Sequence, residues 1–447
     1  MQYLPLIIFL TTVGIALYIF IYRRIYLKTK VKEIIDNKVV LKISVPIDND
    51  KKPLATEQLL NSLHGILQGK EKSSEHFSLE IFSETQGIYF IVVCPERYKD
   101  FVENQFYAQY PNSQIKPIHD YTDTFKEAKV SKYIELKMKL DSFFPLKTFE
   151  NFDVDPLASI TASMSKMPAN TYVCLQVVVR PINNKWQQDG LSFIKTETTK
   201  KDAEGKIIPV DDVKKKMIED IEKKNNKPGF QFKIRIAING TEPVSVNNIS
   251  EDIVASLKQF QTGYNSIEVV KPVKGIINKA KAKISSTQKK AMSMERQRDK
   301  LDIQAKFANR FIDEFEDGIV NIEELASLYH LPDSSVKTPN IAWVKSKKLE
   351  YPLSLPLYNE KNPDNSIRYF GVTDYRGSHI PFGIKNEDRR RHMYMVGKTG
   401  SGKSSYFLRT MIVGDILQGK GVCVLDPHGD LVEEILDLIP ESRMKDV

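Results

Sequence analysis

Cysteine is scarce in this chain. The three residues present in 447, Cys94, Cys174 and Cys423, stand far apart in apolar surroundings. Such spacing excludes a disulfide framework and a cysteine-based metal site, and it points to buried thiols in a reducing compartment. Histidine offers no substitute. His330, in NIEELASLYHLP, has no second His or Cys at a metal-ligand spacing, so packing is its expected role. A strong charge of one sign is lacking too. Lys and Arg number 65 against 57 Asp and Glu, a formal +8, which permits anionic partners without demanding them. At 41% apolar and 27% charged residues, disorder is excluded for most of the chain. The length suits roughly two to four domains.

Charge is absent altogether from Leu4 to Tyr22, 19 residues. At ~1.5 Å per residue a helix there nearly spans a ~30 Å hydrocarbon core. Arg23, Arg24, Lys28, Lys30 and Lys32 come directly after it, which favours a cytoplasmic location for the remainder. A cleaved signal peptide would need a basic start and a small-residue cleavage site, and both are missing. The expectation is a single-pass N-terminal transmembrane helix in the inner (cytoplasmic) membrane. Residues 1–34 then form the anchor and a basic juxtamembrane segment.

Periodicity organises the chain beyond this segment. VVLKISVP alternates like a strand, 55–68 carry helical leucine spacing, and FSLEIFSE and GIYFIVVCP flank a turn. A helix and a short strand complete a strand–helix–strand–strand–helix–strand order, the ferredoxin-like arrangement. The same order recurs from KYIELKMKL (132–140) to SIEVV, with Asp155 as N-cap and Pro156 at the first position of its first helix. The expected units are 35–125 and 126–272, the second with a charged insertion near 183–228 whose later part, DDVKKKMIEDIEKK, reads as an exposed helix. Residues 273–340 form a basic connector and a helical segment. Ten Lys or Arg against two acids in 271–300 read as a solvated linker. Asn321 with Glu324 three residues on has the spacing of a capping box. RYFGVTDYRGSHIPFGI predicts a hairpin.

Gly397, Lys398, Thr399, Gly400, Ser401, Gly402, Lys403 and Ser404 fit G-x-x-x-x-G-K-[ST] in full. The expected number of chance matches in this length is on the order of 0.02. The glycines let the backbone curl so that its N–H groups face a β-phosphate. Lys403 supplies charge to the β and γ oxygens, and the Ser404 hydroxyl is the candidate Mg²⁺ ligand. HMYMVG reads as the strand before the loop, and 403–418 as the helix after it, its positive end toward the phosphates. GVCVLDPHGD then reads as a buried strand, Val422 to Leu425, ending at Asp426. Four apolar residues before an acid resemble a Walker B strand, but Pro427 stands where a second carboxylate is wanted. Asp426 is therefore a weak catalytic candidate, and the catalytic residues are unassigned.

FGIKNEDRRRHMYMVGKTGSGKSS with DILQGKGVCVLDPHGDLVEEILDLIP resembles the HerA–FtsK superfamily of motors. Within it, the likeness is to membrane-anchored, type IV secretory, conjugative DNA-transfer ATPases of coupling-protein type. ELASLYHLP and DPLASITASMSKM are similar to phrases of that group. The resemblance implies ATP and Mg²⁺ as cofactors, DNA as partner, contacts with secretion machinery, and a homo-hexameric ring that translocates DNA. Residue by residue it carries over only the phosphate loop, with Ser405 added. It places the Walker B carboxylates, sensor and arginine finger downstream of the second strand, so 341–447 is expected to be the start of an incomplete RecA-like P-loop domain. Such a piece would not turn over ATP at a motor-like rate. Arg389, Arg390 and Arg391 read as solvated charges flanking the strand. The fold class expected overall is α/β and α+β, multidomain: transmembrane helix, two ferredoxin-like α+β units, truncated ATPase domain. A protein-handling secretion or pilus assembly ATPase uses the same loop, and a non-catalytic membrane scaffold is the third reading.

Overall fold

The computed structural model describes residues 37–69, 75–125, 129–202, 204–270, 303–312, 318–344 and 350–447, together with 14 and 18. The chain divides into two compact units, Met1–Ser346 and Lys347–Val447.

The first unit is built on one sheet. Its strands are β1 (Lys38–Ser44), β2 (Phe77–Glu84), β3 (Gly87–Pro95), β4 (Gln114–Ile118), β5 (Val130–Met138), β6 (Tyr172–Ile182), β7 (Gly229–Gly240) and β8 (Ile267–Val269). They lie in the order β4-β1-β3-β2-β6-β7-β5-β8, and a ninth, β9 (Ile319–Asn321), pairs with the start of β7. Every pairing among these nine strands is antiparallel. In each half the order is fourth, first, third, second, and the halves meet second strand to second strand. β2 and β6 run from Phe77 opposite Val179 to Ser83 opposite Val173, with Glu80 facing Gln176 at the centre. The two expected ferredoxin-like units are thus not separate bodies. Each half alone would leave the edge of its second strand unpaired, and joining those edges removes both liabilities at once.

Period-two alternation decides which face is dry. Val173, Leu175, Val177 and Val179 of β6, with Phe230, Phe232, Ile234, Ile236 and Ile238 of β7, enter the main core. Five helices cover that face: α1 (Pro53–His64), α2 (Lys99–Gln109), α3 (Pro156–Ser163), α6 (Pro243–Leu257) and α7 (Ile322–Leu328). Each sends apolar residues into the core, Leu60, Phe106, Ile160, Ile253 and Leu325 among them. Fully burying one such side chain is worth about 1.5–3 kcal/mol. Local caps agree with the sequence. The Asp155 carboxylate accepts from Leu157 N, with Pro156 opening α3. Asn321 and Glu324 form a reciprocal capping box on α7. His330 is buried, its Nε2 2.9 Å from Asp155 Oδ1.

The insertion carries α4 (Gln187–Thr198) and α5 (Asp212–Asn225). The second is exposed over half of its length, and Ile221, Lys224 and Asn225 at its end are buried. Lys224 Nζ stands 2.9 Å from Glu324, both side chains almost fully inaccessible. Burial pushes the lysine down and the carboxyl up, and their mutual attraction opposes both shifts.

The opposite face of the sheet is polar at its centre. Arg310 is held at φ 49, in the left-handed region. Its Nε donates to Glu80 Oε1 at 3.1 Å and its Nη2 to Asp120 Oδ1 at 2.9 Å, while Gln176 Nε2 donates to the same Glu80 oxygen at 3.0 Å. Burial alone would raise the Asp120 carboxyl, yet the hydrogen bonds from Arg310 and Thr122 prevail and hold it below the usual range. A smaller apolar cluster of Val40, Phe82, Ile91, Tyr121, Phe125 and Phe307 flanks this network.

The transmembrane helix expected from Leu4–Tyr22 is not supported. No helix among the described residues is long and apolar enough to cross a membrane. The longest described α-helix, Pro243–Leu257, has 15 residues, roughly 22 Å against a ~30 Å hydrocarbon core. Apart from Gly14 and Tyr18, the stretch itself lies outside the described residues, as does the basic connector 271–300.

Candidate nucleotide site

The second unit opens with a hairpin, β10 (Ile367–Val372) and β11 (Pro381–Lys385). The strands run from Ile367 opposite Lys385 to Val372 opposite Pro381, with a bulge between Tyr369 and Gly371. Glycine is required at 383, where a Cβ would stand 2.1 Å from the Arg368 carbonyl oxygen. After a short turn at Asp388–Arg390 the chain reaches the loop.

The loop has the curled form its glycines predict. Gly400 and Gly402 lie at φ 78 and 83, a region side-chain-bearing residues rarely adopt. A Cβ on Gly397 would come within 2.5 Å of Ser401 Oγ, whereas one on Gly400 would meet open space. The space at Gly397 is thus taken up by the Ser401 and Lys403 side chains, while that at Gly400 is open. Lys403 arches back over it, Nζ donating to the carbonyls of Gly397 at 2.7 Å and Lys398 at 2.9 Å. Lys398, Thr399, Ser401, Ser404 and Ser405 are exposed. From Lys403 to Leu408 the chain winds as a wide π-helical turn, then as α8 (Arg409–Leu417). Phe407 N bonds to Gly402 O at 3.2 Å, the i→i+5 pattern. The helix thus begins on the loop, its first N–H groups directed at the cradle.

The parallel strands expected around the loop are not formed. Neither 393–396 nor 422–425 belongs to a strand among the described residues. A parallel strand exists only through a bonded neighbour and covered faces, and here Tyr394, Val396 and Leu425 are 93%, 80% and 92% exposed. Cys423 is exposed as well, unlike the buried Cys94 and Cys174, so the expectation of three buried thiols fails at that position. Asp426 takes a structural position. Its Oδ2 accepts from Leu431 N at 2.9 Å and its Oδ1 from His428 N at 3.2 Å, which fastens the start of α9 (Asp430–Leu436). Those backbone bonds, the Leu431 one first, hold its carboxyl below the ordinary value.

One constellation escaped the sequence. Asp415 of α8 is buried, and Arg389 Nη1 donates to its Oδ1 at 2.7 Å. Arg368 and Lys420 approach the same oxygen at 3.5 and 3.8 Å. The hydrogen bond from Arg389 keeps this carboxyl low against a smaller opposing effect of burial. Arg389 is therefore an ion-pair partner and not a solvated flank. The available signal was an acid inside MIVGDILQG, in phase with the buried Met411 one turn earlier. Among the described residues no group of three or more His, Cys, Asp or Glu could hold a metal ion. Mg²⁺ would depend on Ser404 and on phosphate oxygens.

Comparison with known families separates the two units. Residues 21–344 match the family model described as domain of unknown function DUF8128. Residues 370–439 match the central domain of helicase HerA, DUF87. No curated protein matches the chain.

Proposed function

This chain belongs to the DUF8128 family, and from its separate HerA-like match over 370–439 we propose that it is an ATP-binding motor subunit that takes Mg·ATP on the loop 397–405. The HerA match supports a HerA/FtsK-like P-loop ATPase unit. The observation that carries the nucleotide assignment is the left-handed pair Gly400 and Gly402 beneath an arching Lys403. The ammonium is placed to leave two neutral carbonyls for a phosphate, a stronger, charge-assisted partner. The amides from Gly400 to Ser404 would face the β-phosphate, and the Ser404 hydroxyl would reach the metal. Bound ATP supplies the reactive phosphoanhydride, and these residues bind and orient it.

The finer reading is a type IV secretory, conjugative DNA-transfer motor working as a hexameric ring, supported by the likeness of the loop region to coupling-protein ATPases. DNA is the partner this reading requires. The test is fluorescence anisotropy with a fluorescent ATP analogue and Mg²⁺, followed by DNA binding across a salt series. Binding of both, with DNA affinity falling steeply as salt rises, is the expected result. DNA affinity indifferent to salt, or absent, would remove the DNA assignment and leave the nucleotide one.

A further inference from the structure

Asp415 is an unusual residue for its position. It lies in the last turn of α8, three residues before Gln418, where a negative charge opposes the helix dipole. An apolar residue in phase with Met411 would pack there without any charged partner. The carboxylate is instead met by Arg389 from the turn before the loop, by Arg368 from β10 and by Lys420 just beyond the helix.

The neighbouring residue shows that this convergence is built. Arg368 Nη2 donates to Gly414 O at 2.7 Å. A Cβ on Gly414 would stand 2.3 Å from Arg368 Nη1. Only glycine lets the guanidinium lie against the helix at that level. The same hairpin touches the other end of the helix. Phe370 packs edge-on against Phe407, ring centroids 4.8 Å apart, within the turn that comes after the loop. The helix is therefore gripped at two levels by hairpin residues two positions apart, Arg368 and Phe370. Asp415 is twelve residues past Lys403, roughly 18 Å along the axis, too far to touch a phosphate held by the loop.

We propose that Asp415 is a positioning residue for the nucleotide site: by gathering Arg389 and Arg368 it fixes the height and rotation of the P-loop helix against the β10–β11 hairpin, and so sets where the loop amides stand. This rests on the nucleotide reading of the loop. A fork-to-carboxylate pair fixes direction as well as distance, which an apolar contact does not.

The test uses the 447-residue chain and the anisotropy assay with Mg²⁺. Asp415→Asn and Arg389→Gln are each expected to weaken binding about tenfold, and the double variant no further than either alone, because the pair acts as a unit. Asp415→Leu separates positioning from stability. Combined with Arg389→Met it replaces both ions of the pair by apolar side chains, so the melting temperature of this double variant should equal or exceed that of the unsubstituted chain, yet its affinity should fall about as far. Arg389→Gln and the Asp415→Leu, Arg389→Met variant carry the test if Asp415→Asn fails to fold. Binding within about twofold of the unsubstituted chain for both would overturn the positioning role, as would additive losses in the Asp415→Asn, Arg389→Gln double variant. In that case a loss in Lys403→Ala would leave the nucleotide reading standing. No Mg·ATP binding by the unsubstituted chain would overturn that reading, and this inference with it.

Discussion

The two units hold themselves together by different means. In Met1–Ser346 the central strands are buried along almost their whole length, and β7 has no exposed residue. In Lys347–Val447 the apolar stretches around the loop lie open, and the loop helix is held by arginine ties and an aromatic edge contact. The first arrangement suits a rigid platform. The second suits an element that must respond to a ligand, since regions with few buried apolar contacts open at the lowest cost.

That contrast can be challenged from the first unit outward. Arg310→Ala should have the largest effect. It leaves Glu80, fully buried, without its cation, and uncompensated buried charges cost about 3–5 kcal/mol. Denaturant unfolding should show that loss with the slope unchanged. Ile236→Ala comes next, at about 2–5 kcal/mol by cavity formation in the main core. Leu425→Ser in the second unit should shift stability by no more than about 0.5 kcal/mol, because the side chain is already in solvent. A loss there as large as that of Ile236→Ala would erase the comparison.

A pH titration probes the buried charges of the first unit more finely. Lys38 is pushed down to about 7, first by burial and then by the Arg310 charge, with Glu80, Glu75 and Asp120 opposing. Its amine also lies 2.9 Å from His76 Nε2. Between about 7 and the unfolded value of 10.5 the unfolded chain therefore holds the proton and the folded chain does not. Stability from this group should rise with pH across that window. Lys38→Met should flatten the rise, as read by unfolding midpoints at about pH 7 and pH 10.

How much of this could be read from the residues alone depends on sequence distance. Asp155 and Asn321 cap helices through bonds spanning two or three residues, and both were legible. So were the hairpin and the curl of the glycine-rich loop, whose glycines lie within eight positions. The join of β2 to β6 was not, because Glu80 and Gln176 are 96 residues apart and alternation says which face a strand buries but not which strand it meets. Arg389 and Asp415 were missed for a related reason. A run of three arginines looks solvated until an acid 26 residues on is folded against one of them. The strands expected around the loop failed in the opposite direction. Their apolar pattern is real, but a parallel strand is defined by its neighbours.

Everything proposed for the second unit depends on Mg·ATP binding at its loop. Lys403 reaches across that loop to the backbone carbonyls of Gly397 and Lys398, where a phosphate would replace them. Anisotropy of a fluorescent ATP analogue, with and without Mg²⁺, reads this directly. Saturable, Mg²⁺-dependent binding is expected, and Lys403→Ala should weaken it by about a hundredfold, the worth of a charge-assisted phosphate contact. Equal binding by the two chains, or none by the unsubstituted one, would contradict it.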